Sequence, residues 1–230
     1  MRRTIVTLLV MSMSALMPVA GQMLRLEGGM SLSLWNTNID GSCESEEVVG
    51  YQWGVLGELL SDGTFAFETG LLYSQRGGSY SKHEEWEVST ASECYVSAGL
   101  VEHLVKLSYV DVPLHVRMSA RLSKRSKWFI TFGPYVGWAL WGTVRPQRLE
   151  EEQHSDFRNV RWGEEDVDYK MRRWDLGYAG ALGVEWKSGV YLKWRIQQSG
   201  LDVSALPSVY IYNWSMQLSL GYTLRERGAR

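Results

Sequence analysis

The sequence predicts an all-β protein, an eight-stranded antiparallel up-and-down transmembrane β-barrel. Three observations favour this fold class. Eight segments of the chain alternate apolar and polar residues, and the connections between them alternate short and long. The 230 residues also include 11 Trp and 12 Tyr but only 5 Phe, a preference for rings that are apolar at one end and polar at the other. The slightly negative mean hydropathy excludes a bundle of membrane helices, whereas barrel strands are only half apolar.

The N-terminus has the pattern of a secretory signal peptide. Arg2 and Arg3 precede the uncharged, mostly apolar run 5–17, and residues 18–21 supply a small-residue exit. The alternative is a membrane anchor helix, but the apolar run is shorter than the roughly 17–25 residues that a span needs. We therefore expect residues 1–21 to be a cleaved signal peptide and residues 22–230 to form the outer-membrane β-barrel domain.

The charge balance gives no reason to expect a nucleic acid as a partner. The whole chain has a formal charge of −2, and removing Arg2 and Arg3 leaves 22 basic against 26 acidic residues, or −4. A nucleic-acid surface needs an excess of Lys and Arg. We expect outer-membrane lipid as the partner of the barrel wall, and envelope proteins as candidate partners of its loops.

Each of the eight segments places apolar residues on one face and small or polar residues on the other, which is the period of a strand. The segments span residues 24–34, 51–59, 65–76, 109–118, 128–140, 173–186, 190–197 and 213–224. Each runs about ten residues, which suits a tilted membrane strand of roughly 9–11 residues better than a globular strand of about five or six. An even number of strands is what a closed up-and-down barrel requires.

The connections sort by length as those of a membrane barrel do. The connections after segments two, four and six are short and polar, at 61–63, 119–126 and 187–189. Those after segments one, three, five and seven are longer, at 36–49, 77–102, 142–171 and 199–208. Outer-membrane barrels alternate short periplasmic turns with longer external loops in this way. We therefore expect the protein in the outer membrane of a Gram-negative bacterium.

The apolar face is predicted to meet lipid. A soluble lipocalin-type barrel, with its apolar face inward, is the alternative. The polar face is rich in Gly, Ala and Ser and poor in long charged residues, which suits a narrow interior. Trp174 and Trp186 stand at opposite ends of segment six. At roughly 3.3 Å per residue and 45° of tilt they lie about 28 Å apart along the membrane normal, close to the ~25 Å apolar band between two aromatic girdles.

Ten titratable residues on the polar face are predicted to form an interior ion-pair network, because buried charges persist only when paired. They are Glu58, Glu68, Arg76, Asp111, His115, Arg117, Asp175, Glu185, Lys193 and Arg195. Since eight strands enclose a space that side chains just fill, a wide pore is not expected. A catalytic alternative uses Asp111 and His115, four residues apart on one strand, with a Ser of an adjacent strand. No complete catalytic set, phosphate loop or metal motif is readable, so we expect no enzyme, cofactor or metal site.

The two cysteines are predicted to lie in neighbouring external loops. Cys43 falls in 36–49 and Cys94 in 77–102, and the hairpin of segments two and three brings these loops side by side. In an oxidising compartment a Cys43–Cys94 disulfide is the favoured prediction, and two free thiols are the alternative. The bridge would close about fifty residues, worth on the order of 3–4.5 kcal/mol in the chain-entropy model. The longest loop, 142–171, mixes acidic and basic residues and is expected to be a solvated cap.

Four short motifs are spread over most of the chain that follows the predicted signal peptide. They are FETGLLYSQRG at 67–77, LSYVDVPL at 107–114, FGPYVG at 132–137 and LSLGY at 218–222. Together they resemble the PorT-like outer-membrane β-barrel proteins of Bacteroidetes-type bacteria. The resemblance implies an eight-stranded outer-membrane barrel, and one family member takes part in a secretion system that exports proteins across the outer membrane. It also implies that Pro113 and Pro134 are tolerated within strands four and five, through bulges.

Three hypotheses about function follow. The first is a small closed barrel with a structural or interaction role through its extracellular loops, such as a subunit of an outer-membrane or secretion complex. The second is an outer-membrane enzyme that modifies lipid, and the third is a narrow channel for ions or small solutes. A filled interior without a complete catalytic set favours the first.

Overall fold

Eight long strands form the barrel in the computed structural model, which describes residues 23–37, 47–89, 94–148, 158–162, 170–204 and 210–224. The strands are β1 (Met23–Thr37), β2 (Val48–Leu59), β3 (Phe65–Ser89), β4 (Cys94–Arg121), β5 (Ser126–Arg148), β6 (Trp174–Trp186), β7 (Val190–Ser199) and β8 (Ile211–Leu224). The described part of the chain contains no helix that is long and apolar enough to cross a membrane.

Each strand pairs antiparallel with the strands that precede and follow it, and the β1–β8 pairing closes the barrel. At the closure Leu24 lies opposite Leu224. Three two-residue strands occupy the connection between β5 and β6: Arg158–Asn159 pairs with β5, and Arg161–Trp162 pairs in parallel with Lys170–Met171. The predicted fold class, an eight-stranded antiparallel barrel, is confirmed.

The wall of the barrel is apolar outside and polar inside. Along β6 exposed and buried residues alternate; Leu182 is 50% exposed on the outside, whereas Asp175 and Glu185 are buried on the inside. Trp174 and Trp186 are exposed at the two ends of the same strand. An exposed apolar band with aromatic rings at both ends is the lipid-facing surface of a membrane barrel, as the sequence predicts.

Strands β3, β4 and β5 are longer than the sequence predicts. The predicted loop 77–102 is mostly strand, because β3 continues to Ser89 and β4 begins at Cys94 with a continuous ladder between them. In the same way β5 continues to Arg148, inside the predicted loop 142–171. These two loop assignments are wrong because the period-two pattern arises only where one face of a strand meets lipid, and the upper parts of these strands lack that pattern. Above the membrane both faces of a strand can be polar while the backbone ladder continues.

Two prolines interrupt the ladders without producing bulges. The β3–β4 ladder keeps one register across Pro113, and the β4–β5 ladder keeps one register across Pro134, with pairs missing where the proline ring replaces an N–H donor. The register shift of the β4–β5 ladder lies between Ser108 and Tyr109 instead, where Leu140 is the extra residue of β5. The expectation of bulges at the prolines is therefore wrong.

The short turns are fixed by local hydrogen bonds and by glycine. In the β2–β3 turn the carboxylate of Asp62 accepts the N–H of Phe65 at 2.6 Å and of Thr64 at 2.9 Å. These two bonds, that of Phe65 first, hold the pKa of Asp62 below its usual range. Gly63 and Gly189 have φ angles of 90° and 92°, in the left-handed region that favours glycine. Both positions lie in connections that the sequence predicts to be short.

Candidate functional site

The inward faces of the strands carry three clusters of buried, paired charges. The clusters follow one another from the turn end of the barrel, where the connections are short, to the loop end, where they are long. Period-two alternation brings these polar side chains to the inner side of the wall. Because buried charges are stable only when they are paired, the pairs determine how the interior is filled.

The turn-end cluster consists of two arginines, Arg25 and Arg117, and three glutamates, Glu58, Glu68 and Glu185. Both arginines contact all three carboxylates. The Arg25 guanidinium lies 3.0 Å from Glu68 and 3.5 Å from Glu185. The Arg117 guanidinium lies 3.0 Å from Glu185 and 3.2 Å from Glu58. Five strands are tied together by this one cluster.

The central cluster places one carboxylate between two cations. Glu27 contacts Lys193, and its Oε1 lies 3.1 Å from Nη2 of Arg195. The Tyr191 hydroxyl donates a hydrogen bond of 3.1 Å to Glu27, and Arg195 donates one of 3.4 Å to Gln217. The formal charge of the cluster is +1, so it is balanced only with the help of its neighbours.

The loop-end cluster places one cation between two carboxylates. The Arg76 guanidinium lies 2.5 Å from Asp111 and 2.9 Å from Asp175, and it stacks 4.2 Å from the centroid of the Tyr109 ring. Asn213 donates a hydrogen bond of 3.1 Å to Asp175. The formal charge of the loop-end cluster is −1, as is that of the turn-end cluster with its two arginines and three glutamates.

Apolar side chains close the loop end of the interior. We call them the apolar plug, and they are Trp35, Val105, Leu107, Tyr109, Ala139, Val144, Val160, Met171, Val203 and Ile211. The Trp35 indole donates a hydrogen bond of 2.8 Å to Asn213, which links the plug to the loop-end cluster. The sequence did not indicate the plug, because most of its residues fall outside the eight alternating segments.

All ten residues predicted for the interior network are buried on the inward face, and nine of them form ion pairs. His115 differs, because neither ring nitrogen has a hydrogen-bond partner among the described residues. Two further members of the network were missing from the prediction: Arg25 of the turn-end cluster and Glu27 of the central cluster. Both lie on the polar face of segment 24–34, and that alternation was the signal that could have found them.

The catalytic arrangement that the sequence left open for Asp111 and His115 is not assembled. Asp111 pairs with Arg76 and accepts a hydrogen bond of 2.8 Å from Ser74 Oγ, and no hydrogen bond joins it to His115. A nucleophile and its base need to be within hydrogen-bond reach. No group of three His, Cys, Asp or Glu side chains in the described ranges is placed to hold a metal ion.

Two predictions lie outside the described residues. Cys43 falls in the segment 38–46, and Cys94 is described only through its backbone, as the first residue of β4. The Cys43–Cys94 disulfide therefore stays a prediction. The signal peptide at residues 1–21 also stays a prediction.

Considering only the described residues, the upper part of strand β3 is paired with another strand on one side. The ladder to β2 ends with Ser74 opposite Gln52, whereas the ladder to β4 continues to Ser89 opposite Cys94. No other strand of the described chain pairs with β3 above Ser74. We call residues 80–89 the β3 edge. Along it, one side of the backbone has no strand neighbour among the described residues.

Above the last β2–β3 pair, β3 crosses the inner side of the wall. Ser31 Oγ donates a hydrogen bond of 2.9 Å to the carbonyl of Gln75, and the N–H of Gly77 donates one of 2.9 Å to Ser33 Oγ. This approach requires glycine at position 50, because a Cβ on Gly50 would lie 2.7 Å from the Gln75 carbonyl oxygen. The crossing separates β3 from β2, so that the β3 edge has no paired strand on that side within the part of the chain that the structure describes.

A closed antiparallel barrel with a polar interior and an apolar exterior ringed by aromatic residues defines a transmembrane β-barrel protein. The chain belongs to the family of outer membrane protein beta-barrel domains, whose family model matches residues 23–205. It is a small outer-membrane barrel. No curated protein matches the chain.

Several solved outer-membrane barrels are similar at low identity. Ail, the attachment invasion locus protein of Yersinia pestis, crystallised with the heparin analogue sucrose octasulfate, is 11% identical, with a TM-score of 0.39, 89% of this chain and 99% of that chain covered. Neisserial surface protein A is 8% identical, with a TM-score of 0.42 and coverage of 89% and 98%. OprG of Pseudomonas aeruginosa is 11% identical, with a TM-score of 0.41 and coverage of 90% and 97%.

Proposed function

We propose that this outer-membrane barrel has an interaction role through its loop end, where the β3 edge pairs with an extended segment of a partner protein. The observation that carries the proposal is that, across the described ranges, β3 is paired on one side only above Ser74. A row of unpaired N–H and C=O groups is a template for a strand of another chain. At about 3.3 Å per residue, residues 80–89 present roughly 33 Å of such an edge.

The filled interior supports a role at the loops over transport through the barrel. Three charged clusters and the apolar plug occupy the inside from the turn end to the loop end. Opening a passage would break buried ion pairs, each of which costs several kcal/mol when one partner is lost. The loop end is therefore the part of the protein that can change partners without disturbing its core.

The sequence of the β3 edge indicates the chemistry of the partner. Residues 80–89 include Glu84, Glu85 and Glu87 but only one cation, Lys82. Like charges opposite one another destabilise a strand pair. The partner strand is therefore neutral or basic, and complementary charge would also raise its association rate.

We further propose that the partner is an envelope protein, with the barrel as a subunit of an outer-membrane or secretion complex. The PorT-like motifs support this: the motif at 67–77 leads directly into the β3 edge, and the motif at 107–114 lies on the paired strand β4. Export with cleavage of residues 1–21 is part of the same proposal.

Photo-crosslinking in intact cells tests the interaction. A benzophenone amino acid at Ser81 or Glu85 is expected to give a discrete adduct of higher mass. The same group at Ser123, in the turn at the opposite end of the barrel, is the control and is expected to give none from the same partner. Absence of a discrete adduct from both edge positions of a correctly folded barrel would contradict the proposal.

Proline substitutions separate edge pairing from side-chain contact. Along a strand, alternate N–H groups point to opposite sides, so Glu84→Pro and Glu85→Pro remove one N–H that faces β4 and one that faces the free side. The variant that lacks the N–H on the free side is expected to lose the adduct formed by the crosslinker at position 81. Its gel mobility is still expected to shift on heating, which shows that the barrel is folded. If neither proline changes the adduct, partner binding does not use the edge.

Two alternatives have separate tests. For an enzyme that modifies lipid, Asp111→Asn and His115→Gln would change the lipid profile of the outer membrane; we expect no change. For a narrow channel, the purified barrel would give discrete conductance steps in a planar bilayer; we expect none, because the interior is filled.

A further inference from the structure

The turn end of the barrel has positive charge concentrated in one sector. The β4–β5 and β6–β7 turns lie side by side, because β5 pairs with β6 and the N–H of Lys187 donates a hydrogen bond of 2.8 Å to the carbonyl of Arg125. Four basic side chains of these turns form what we call the basic turn patch: Arg121, Lys124, Arg125 and Lys187.

The cations of the patch are available for a ligand. Arg121, Lys124 and Arg125 are exposed, as is Lys187, and within the described residues none of them makes an ion pair. Lys127, the second residue of β5, does not belong to the patch. Its side chain turns inward and lies 3.3 Å from the buried Glu185, so it is already paired.

Apolar side chains border the patch on the membrane side. Trp186, at the end of β6, lies opposite Ser126 in the ladder and is 42% exposed. Leu122 is 61% exposed within the β4–β5 turn itself. Exposed Trp marks the level of the lipid headgroups in membrane barrels. The cations directly beyond Trp186 therefore stand at the level of the headgroup phosphates.

The two ends of the barrel differ in charge. In the sequence, the connections at 61–63, 119–126 and 187–189 contain four basic residues and one acidic residue. The connections at 36–49, 77–102, 142–171 and 199–208 contain 6 basic and 18 acidic residues. An anionic surface is therefore attracted to the turn end and repelled from the loop end.

We propose that the basic turn patch binds the phosphate groups of anionic phospholipids in the leaflet that faces the turns. The exposed cations, the adjoining apolar side chains and the acidic opposite end together fit this ligand. Each basic residue close to an anionic lipid surface raises the affinity by roughly fivefold, so four of them make a site that discriminates between anionic and zwitterionic lipids.

Lipid selectivity of the full chain in vesicles tests the proposal. The barrel is reconstituted in phosphatidylcholine vesicles, and the relative association of spin-labelled phosphatidylglycerol and phosphatidylcholine is measured by electron paramagnetic resonance. The wild type is expected to favour phosphatidylglycerol severalfold at low salt. The preference is expected to decline as salt rises, because the cations are exposed.

Two substitutions with the same change of charge provide the comparison. Arg125→Gln lies in the patch, and Arg172→Gln removes a cation at the loop end that is 61% exposed and 4.0 Å from Asp202. We expect Arg125→Gln, and more strongly the combination with Lys124→Gln and Lys187→Gln, to reduce the preference, and Arg172→Gln to leave it unchanged. A folded barrel is verified by its heat-modifiable gel mobility.

Three outcomes would overturn the proposal. One is equal association of the two lipids with the wild type. Another is an equal loss of preference in Arg125→Gln and Arg172→Gln. The third is binding of soluble polyglutamate to the patch without any preference for phosphatidylglycerol, which would assign the surface to an acidic protein instead.

Discussion

Removing the cation of the loop-end cluster is expected to cost several kcal/mol of stability. The side chain of Arg76 is completely buried and contacts Asp111 at 2.5 Å and Asp175 at 2.9 Å. Arg76→Met keeps most of the volume but leaves two buried carboxylates without a cation. Breaking a buried pair in this way costs about 3–5 kcal/mol.

The hydrogen bonds that remain set the expected magnitude within that range. Asp175 keeps the Ser199 hydroxyl at 2.7 Å and the Asn213 amide at 3.1 Å, and Asp111 keeps the Ser74 hydroxyl at 2.8 Å. Each carboxylate therefore retains a donor, so we expect a loss of about 3–4 kcal/mol in the free energy of unfolding. Urea unfolding in lipid vesicles, followed by tryptophan fluorescence, measures it.

Two further variants show whether charge is the cause. Arg76→Met combined with Asp111→Asn and Asp175→Asn is expected to regain at least half of the lost stability, because neutral amides do not repel one another. Arg172→Met removes an exposed arginine and is expected to change stability by less than about 0.5 kcal/mol. A loss of stability below about 1 kcal/mol for Arg76→Met alone would refute the stabilising role assigned to the ion pairs of Arg76 with Asp111 and Asp175.

Three other predictions follow from the turns, the strand crossing and the cysteines. Gly50→Ala is expected to destabilise the barrel by about 1–3 kcal/mol. Gly57→Ala, whose Cβ would come no closer than 3.9 Å to the carbonyl oxygen of Thr69, is expected to be tolerated; urea midpoints compare the two. Asp62→Ala is expected to lower the thermal midpoint at pH 7. Because the pKa of Asp62 is lowered in the folded state, its contribution is present above the unfolded pKa and is lost as the pH falls through the folded pKa, so the difference from wild type should shrink in acid. The mass of the protein after alkylation without reductant should be unchanged if Cys43 and Cys94 are bridged, and two added alkyl groups would exclude the bridge.

The membrane-spanning part of the fold could be predicted from the sequence because lipid imposes a period of two. Leu182 faces lipid and Asp175 faces inward, and every residue between them must follow the same alternation. Above the membrane that constraint ends. The upper parts of β3 and β4 therefore gave no strand signal, although their backbones pair as regularly as those in the membrane.

The interior could be predicted as a set of residues but not as a set of pairs. Alternation identifies Glu68 and Arg117 as inward, but their partners depend on the register between strands and on the shear of the closed barrel. Arg25 joins them through contacts with Glu68 and Glu185, which lie 43 and 160 positions away in sequence and which no local pattern reports. The crossing of β3 at Gly50 was missed for the same reason, since it depends on a contact between non-neighbouring strands.

The central claim is that the apolar face of the strands contacts lipid while the polar face is sealed inside. Nuclear Overhauser effects between acyl-chain methylene protons and side-chain methyl groups of β6 test it most directly, without any substitution. We expect them at Leu176 and Leu182, which are exposed, and not at Ala179 and Ala181, which are buried inside. The opposite pattern, with contacts at the two alanines and none at the leucines, would contradict the assignment of the faces.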